Sequence, residues 1–179
     1  MLSCVSRAWS GPSARDPHPE PASVRRGVRL AVDVGSVRVG VARSDPDGVL
    51  ASPLEVIRHG RDDLDRLADL TAAHEALEVI VGLPTTLAGR QGQAAVSARQ
   101  VAAGLADRIA PVPVRLFDER FTTTTAHAVL RQGGKNSKAR RQIVDAAAAA
   151  VLLQAALDSE RATGSPPGEI VPIGGLNNL

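Results

Sequence analysis

Hydrophobic and polar positions alternate in the first patterned part of the chain, which begins at Val28. A period of two residues is typical of β-strands, and turn sequences separate the runs at Gly35-Ser36 and at Pro46-Asp47-Gly48. The pattern predicts three strands, from Val28 to Asp33, from Arg38 to Arg43 and from Val49 to Ile57. Because the connections are short, we expect an antiparallel meander.

After Gly60 the hydrophobic period lengthens to that of an α-helix, and short β-branched runs then alternate with helical stretches. We predict strands from Glu78 to Leu83 and from Val112 to Phe117. Helices are predicted after Gly60, where Leu64, Leu67, Ala68 and Thr71 share one face, and from Ala94 to Ile109, from Thr122 to Gln132 and from Asp145 to about Leu157. Strands joined by helical crossovers are parallel. The order therefore predicts an α/β fold with a mixed five-stranded sheet, in which the antiparallel three-strand meander joins two parallel strands and helices flank the sheet.

The length of the chain and the limits of the pattern predict one domain. The chain has 179 residues, of which 44% are hydrophobic, which is enough for a single buried core. Residues 1–27 are rich in Pro, Ser, Arg and Gly without any period, so we expect a disordered extension there. We expect the domain at residues 28–159 and a flexible tail at residues 160–179.

Composition excludes several functional classes. Aromatic residues make up 2% of the chain and Tyr is absent, which disfavours a surface built on stacked bases. The single cysteine, Cys4, cannot form an internal disulfide, and no Cys/His cluster predicts zinc, so we expect a cytoplasmic protein. No run of 18 apolar residues occurs, so we expect no membrane contact. The formal net charge of +2 neither requires nor excludes a nucleic-acid partner.

Acidic residues stand at the ends of two predicted strands and at the start of the last helix. Asp33 ends the first strand, Asp118-Glu119 ends the fifth, and Asp145 opens the apolar helix that runs to Leu157. Ligand sites in open α/β sheets lie at the carboxyl ends of neighbouring strands. If the first, fourth and fifth strands are neighbours, these acids meet at one edge of the sheet.

Such a group of carboxylates has a specific chemical use. Three carboxylates close together repel one another unless a cation lies among them, and oxygen ligands select hard cations such as Mg²⁺ or Mn²⁺. Two such ions can hydrolyse a phosphodiester, one activating a water and the other stabilising the leaving oxygen. Each acid taken singly also fits a plainer role as a turn former or a helix cap.

A basic stretch precedes the last helix and contains no acid. Its Gly133-Gly134 pair predicts flexibility, and its position beside the acids favours contact with a phosphate backbone over a merely solvated face. Such contacts do not distinguish RNA from DNA. The basic residues are Arg131, Lys135, Lys138, Arg140 and Arg141.

Four segments resemble the YqgF/RuvX family in order and spacing. They are AVDVGSVRVGVARSD at 31–45, VIVGLPTTLAGRQG at 79–92, FDERFTT at 117–123 and VDAAAAAVLLQ at 144–154. The family has the RNase H-like fold and comprises pre-16S rRNA nucleases, also described as Holliday-junction-resolvase-like proteins. The resemblance covers residues 28–159 and implies a metal-dependent endonuclease.

The resemblance also implies the roles of individual residues. Asp33, Glu119 and Asp145 would be the catalytic acids and the ligands of Mg²⁺ or Mn²⁺. Glu119 is favoured over Asp118 because it matches the acid of the family's DER motif, which leaves Asp118 as a supporting acid. Arg120 would either hold a phosphate or neutralise the carboxylates.

The chain departs from the family in the loop that follows Gly-Leu-Pro. The family often has Asn and an acidic residue there, whereas this chain has Thr85-Thr86-Leu87-Ala88-Gly89. We expect Thr86 or Arg90 to contact phosphate in place of that Asn. Arg38 is a further expected substrate contact.

The implied function is processing of the 5′ end of pre-16S rRNA by a monomer or homodimer, with pre-rRNA as the partner and ribosomal particles as a further one. Holliday junction resolution on branched DNA and a non-catalytic RNA- or ribosome-binding role are the alternatives. The sequence Asp33-Val34-Gly35 followed by Gly40 also resembles the first phosphate loop of sugar kinases and actin-like ATPases. Those enzymes bind ATP between two such domains, and this chain provides only one.

Overall fold

The computed structural model describes residues 24–85, 92–121 and 138–174, and its centre is a mixed sheet of six strands in the order β3-β2-β1-β4-β5-β6. The strands are β1 (Arg29–Val34), β2 (Arg38–Ser44), β3 (Ala51–Arg58), β4 (Glu78–Leu83), β5 (Val114–Asp118) and β6 (Glu169–Ile170). The first three strands are antiparallel, and β4 and β5 run parallel to β1. This arrangement confirms the predicted meander, the two parallel strands and the adjacency of β1, β4 and β5.

Helices cover both faces of the sheet. They are α1 (Asp63–Ala73), α2 (Gln93–Ile109) and α3 (Lys138–Thr163), and a single 3-10 turn (Glu119–Phe121) follows β5. The helices α1 and α2 pack on one face, whereas α3 packs on the other. None of the helices in the described part of the chain is long and apolar enough to cross a membrane.

Alternation along the strands assigns each side chain to one of these faces. In β1, Leu30 and Val32 belong to the core on the α1/α2 side, whereas Ala31 belongs to the core under α3. Successive strand residues point to opposite faces. Asp33 therefore lies on the α3 face of the sheet.

The predicted strand count of five is wrong by one, because β6 pairs antiparallel with β5. Residues 160–179 are predicted to form a flexible tail, whereas α3 continues to Thr163 and β6 follows. Both residues of β6 are exposed, so no alternation marks it in the sequence. Gly168 precedes it at a φ of +72°, where a Cβ would collide with the main-chain oxygen of Leu116.

The start of the domain lies earlier than the predicted residue 28. The Arg25 guanidinium lies 2.6 Å from Glu78 Oε1 and 2.8 Å from Glu160 Oε1, so this residue is anchored to β4 and α3. The main-chain N–H of Gly27 donates a hydrogen bond to the carbonyl of Pro46. Residues 24–27 are therefore part of the fold.

The last helix begins earlier than predicted. Asp145 was expected at its first turn, but α3 begins at Lys138, which places Asp145 about two turns inside the helix. The first turns are polar and carry no apolar period, so the pattern gives no sign of them. The backbone of Lys138, Arg140 and Arg141 is helical, in contrast to the flexible segment expected there. The predicted helix from Thr122 to Gln132 lies outside the described residues.

Candidate active site

Asp33 and Asp145 are brought together by Gly40 of β2. Gly40 is the cross-strand partner of Asp33, and paired residues of antiparallel strands share a face. A Cβ at Gly40 would collide with the main-chain oxygen of Asp145. Because glycine has no side chain, α3 can rest directly on β2 at this point. The main chain of Asp145 therefore lies against the strand pair that carries Asp33.

Glu119 reaches the same face at the end of β5. Its Oε1 atom lies 2.9 Å from the position that a Cβ at Gly82 would occupy, and Leu152 of α3 lies 3.0 Å from that position. The Glu119 side chain therefore lies over Gly82 and beside α3. Asp33, Glu119 and Asp145, the three acids implied by the resemblance, all lie on the α3 side of the sheet.

Asp118 is directed differently from its neighbour. It pairs with Leu83 in the register of β4 and β5, and Leu83 belongs to the core on the α1/α2 side. The Arg120 guanidinium donates hydrogen bonds to both carboxylate oxygens of Asp118, and the Thr85 hydroxyl donates another. These bonds, with that of Arg120 the strongest, lower the pKa of Asp118 to about 2. Asp118 is thus ionised at neutral pH, and Arg120 neutralises its charge.

Arg120 forms a close ion pair with Asp118. Its Nη2 atom lies 2.6 Å from Asp118 Oδ2, so its guanidinium neutralises a carboxylate in this structure. Its main-chain N–H also donates to Asp118 Oδ1, which fixes the turn that carries Glu119. Arg120 therefore positions the turn that follows β5.

Arg38 forms an ion pair with Asp145. Its Nε atom lies 2.8 Å from Asp145 Oδ2, and the two side chains are 25% and 35% exposed. Both atoms are buried, and neither forms a hydrogen bond with a partner in the described residues. The contact between them is therefore electrostatic. Arg38, predicted to contact substrate, thus lies among the acids.

The donor set suits a hard cation, but it is not assembled around one point. Carboxylate oxygens are the ligands that Mg²⁺ and Mn²⁺ prefer. Among the described residues, no three His, Cys, Asp or Glu side chains are close enough together to hold one ion. Asp145 is engaged by Arg38. A cation that uses Asp145 must therefore compete with that guanidinium.

The structure describes the backbone of three of the remaining residues that are predicted to contact substrate. Lys138, Arg140 and Arg141 lie in the first turns of α3, at the end of the helix nearer to Asp145. Thr86, Arg90 and Lys135 lie outside the described residues.

Sequence reasoning missed a group of residues between β3 and α1. His59, interpreted from the sequence as a surface or loop residue, has its Nδ1 atom 2.6 Å from Oδ2 of the buried Asp63. With Arg58 and Arg61 it lines a cleft of about 360 Å³. The sequence signal was the run Arg58-His59-Gly60-Arg61 directly after a predicted strand.

A family model and several curated relatives match most of this chain. A family model described as "RuvX: Holliday junction resolvase" matches residues 27–159. The chain is 58% identical over 155 residues to a "Putative pre-16S rRNA nuclease" of Thermobifida fusca, which covers 83% of this chain and 98% of the relative. A relative of the same name from a Nocardioides species is 55% identical over 153 residues, with coverage of 83% and 98%.

Solved structures support the fold. RuvC of T. thermophilus in complex with a Holliday junction substrate matches with a TM-score of 0.54 at 14% sequence identity, covering 81% of this chain and 99% of that chain. A further RuvC structure from Thermus thermophilus gives a TM-score of 0.51 at 16% identity, with coverage of 80% and 99%. The fold is therefore RNase H-like, as the resemblance implied.

Proposed function

The chain belongs to the RuvX family, and from that membership we propose that it is a metal-dependent endonuclease that processes the 5′ end of pre-16S rRNA in the cytoplasm. The names of relatives with more than half of their aligned residues identical favour this substrate. The RuvC-like fold and the family description support hydrolysis of phosphodiester bonds.

The observation that carries the proposal is that Asp33, Glu119 and Asp145 lie on the same, α3 side of the sheet. Gly40 admits the main chain of Asp145 next to the position of Asp33, and Gly82 leaves room for the Glu119 carboxylate. Asp33 and Glu119 stand at the carboxyl ends of β1 and β5, which is where an open α/β sheet places its chemistry.

Asp33, Glu119 and Asp145 would hold two Mg²⁺ or Mn²⁺ ions, which supply an activated water and stabilise the leaving oxygen. The other side chains bind and position. The Asp145 carboxylate and a substrate phosphate would compete for the Arg38 guanidinium. A phosphate that takes the guanidinium releases Asp145, so substrate binding and completion of the carboxylate set are coupled.

The start of α3 would supply contacts to the phosphate backbone. Lys138, Arg140 and Arg141 follow one another closely in its first turns, and with Lys135 and Arg90 they would bind phosphates on either side of the cleaved bond. Because these contacts read the backbone and not the bases, recognition of the precursor depends on its shape.

A depletion strain tests the proposed substrate. Loss of the protein should cause 16S precursors with unprocessed 5′ ends to accumulate, and wild type should restore processing. Glu119→Gln should fail to restore it. Asp69→Asn, which removes an exposed carboxylate from α1 on the other side of the sheet, should restore it fully. Rescue by Glu119→Gln would contradict a catalytic role and favour the non-catalytic RNA-binding alternative.

The second candidate is resolution of branched DNA, favoured by the description of the matching family model. The same strain distinguishes the two substrates. Normal rRNA ends together with unresolved DNA junctions in the depleted strain would show that branched DNA, and not pre-rRNA, is the substrate.

A further inference from the structure

A basic cleft opens at the end of β3, where the chain turns into α1. Its volume is about 360 Å³, and three arginines and one carboxylate stand among its lining residues. These charged residues are Arg58, Arg61, Arg66 and Asp62. The surface of the cleft is therefore positive.

Two of these arginines are available to a ligand. Arg66 is bound by Glu55, with 2.6 Å between Nη2 and Oε2. Arg58 and Arg61 are exposed, and within the described ranges neither has a hydrogen-bond or ion-pair partner. The positive charge of the cleft that a ligand can bind is therefore that of Arg58 and Arg61.

The cleft is lined by Ile57 and by Arg66 of α1, on the α1/α2 side of the sheet, and Arg58 links it to the face that carries the acids. Arg58 is the cross-strand partner of Arg38, so the two side chains share the α3 face. Like charges directly opposite each other destabilise a strand pair. Arg38 is compensated by Asp145, whereas Arg58 has no such acid, so an anion bound beside Arg58 would relieve the repulsion.

The loop that forms the cleft is held in place by its own contacts. The Asp63 carboxylate binds His59 Nδ1 at 2.6 Å and accepts a hydrogen bond of 3.2 Å from the main-chain N–H of Gly60. The main-chain N–H of His59 donates to the carbonyl of Val37 in the turn between β1 and β2. Because the loop is already ordered, a ligand loses little affinity to ordering it.

We propose that this cleft binds a backbone phosphate of the nucleic-acid substrate, with Arg58 and Arg61 as its contacts. The bound strand would run from the acids, past Arg38, to the loop between β3 and α1. The inference rests on the proposed function, because the ligand is the same nucleic acid that the acids would cleave. The contact is to phosphate, so it adds affinity without reading bases.

The test measures binding separately from cleavage. The full chain and its Arg58→Gln/Arg61→Gln variant are titrated in EDTA with a fluorescent RNA hairpin that has single-stranded flanks, between about 50 and 200 mM KCl. Loss of two phosphate contacts should weaken binding about tenfold or more at low salt, and the slope of log Kd against log salt should fall by about one to two.

The matched control removes two positive charges elsewhere. Arg26 precedes β1 and Arg108 lies in the last turn of α2; neither lines the cleft, and each forms an exposed ion pair, with Asp47 and Asp65 respectively. Arg26→Gln/Arg108→Gln should keep the wild-type salt slope. Equal loss of affinity in both double variants would overturn the proposal, because net charge alone would then explain the effect.

Two further measurements keep the outcome unambiguous. Urea unfolding should show that both double variants fold as wild type does, and if the first does not, Arg61→Gln alone is used, since Arg61 lies in the loop. Titration with inorganic phosphate tests for a small-anion site. If the Arg58→Gln/Arg61→Gln variant loses affinity for inorganic phosphate but binds the hairpin as tightly as wild type, the proposal is overturned.

The proposal and the proposed function fail in different ways. A wild-type chain that binds the hairpin through Arg58 and Arg61 but cleaves no nucleic acid would contradict the endonuclease and support the cleft. A chain that cleaves, with an Arg58→Gln/Arg61→Gln variant that binds as the control does, would contradict the cleft alone.

Discussion

Asp118 and Glu119 are adjacent acids with different surroundings. Asp118 is bound by Arg120 and Thr85, whereas Glu119 lies over Gly82 beside α3. From the sequence, both acids were expected at the same edge of the sheet, with Asp118 as a supporting acid. The divergence of their side chains was not predicted, because Glu119 lies beyond the end of β5. The partners of Asp118 could not be predicted, because Thr85 comes from the end of another strand.

The pKa of Asp118 predicts a pH-dependent contribution to stability. A pKa lowered to about 2 in the folded state means that the stabilisation is present above the unfolded pKa, near 4, and is lost as the pH falls toward 2. Because Arg120 is about half exposed, we expect Asp118→Asn to lower the free energy of unfolding by about 1 kcal/mol at pH 7. Urea unfolding of variant and wild type at pH 7 and at pH 3 measures this difference.

The difference should shrink at the lower pH. Glu169→Gln, which removes an exposed carboxylate from β6, should cost little at either pH. An Asp118→Asn penalty that stays constant between the two pH values would contradict the assigned pKa.

The ion pair between Arg38 and Asp145 predicts a competition with metal. Removing the guanidinium frees Asp145, so Arg38→Gln should tighten binding of Mn²⁺ in the absence of nucleic acid, by about three- to tenfold. Isothermal titration calorimetry with MnCl₂ measures the affinity. Arg58→Gln is the matched control, since it removes the same charge from the neighbouring position, which has no contact with Asp145. Unchanged Mn²⁺ affinity in Arg38→Gln would show that Asp145 is not a metal ligand.

At the scale of elements, two glycines determine how closely α3 approaches the sheet. A Cβ at Gly40 would meet the main chain of α3, which cannot move aside cheaply. A Cβ at Gly82 would meet the ends of the Glu119 and Leu152 side chains, which can rotate away. The same substitution should therefore have different consequences at the two positions.

Gly40→Ala should destabilise the protein by about 2 kcal/mol or more, because it forces α3 from the sheet. Gly82→Ala should cost less than about 1 kcal/mol but lower nuclease activity at least tenfold, because it displaces the Glu119 carboxylate. Urea unfolding and cleavage rates of both variants give the comparison. Equal stability losses, or full activity in Gly82→Ala, would contradict the assigned packing.

The elements also show what the hydrophobic pattern can and cannot predict. The strands β1 and β4 were located to within a residue, because buried alternation or a continuous buried run marks them. The polar start of α3 and the exposed β6 carry no such pattern, so both were missed. Strand order was enough to place Asp33 and Glu119 at the carboxyl ends of β1 and β5. It could not show that Asp145 pairs with Arg38, and the earlier start of α3 changed the place of Asp145 within its helix.

At the scale of the whole molecule, a buried charge network joins distant parts of the chain. Arg29 is fully buried in β1 and contacts Glu78 of β4 at 3.2 Å and Glu160 of α3 at 3.0 Å. Burial by itself raises the pKa of Glu160, but hydrogen bonds from Arg25 outweigh that effect and leave the pKa lowered. No sequence period reveals such a network, because its members are far apart in the chain.

Arg29→Met tests the importance of this network. Removing Arg29 leaves the buried Glu78 and Glu160 carboxylates with less compensation, because the partly exposed Arg25 then remains their shared partner. We therefore expect a loss of about 3 kcal/mol in the free energy of unfolding. Arg108→Met, which breaks an exposed pair with Asp65, should cost less than about 1 kcal/mol. Urea unfolding of both variants measures the contrast. A loss in Arg29→Met no larger than in Arg108→Met would contradict a structural role for the network.

The central claim is that Asp33, Glu119 and Asp145 act together on a phosphodiester bond, and cleavage by the purified chain tests it most directly. A 5′-labelled fragment of pre-16S rRNA is incubated with Mg²⁺ or Mn²⁺ and wild type, Asp33→Asn or Asp69→Asn, and a four-way DNA junction is assayed alongside. Wild type and Asp69→Asn should cleave at the same rate, EDTA should abolish cleavage, and Asp33→Asn should be slower by about a hundredfold or more. Cleavage by Asp33→Asn at the wild-type rate would contradict the account.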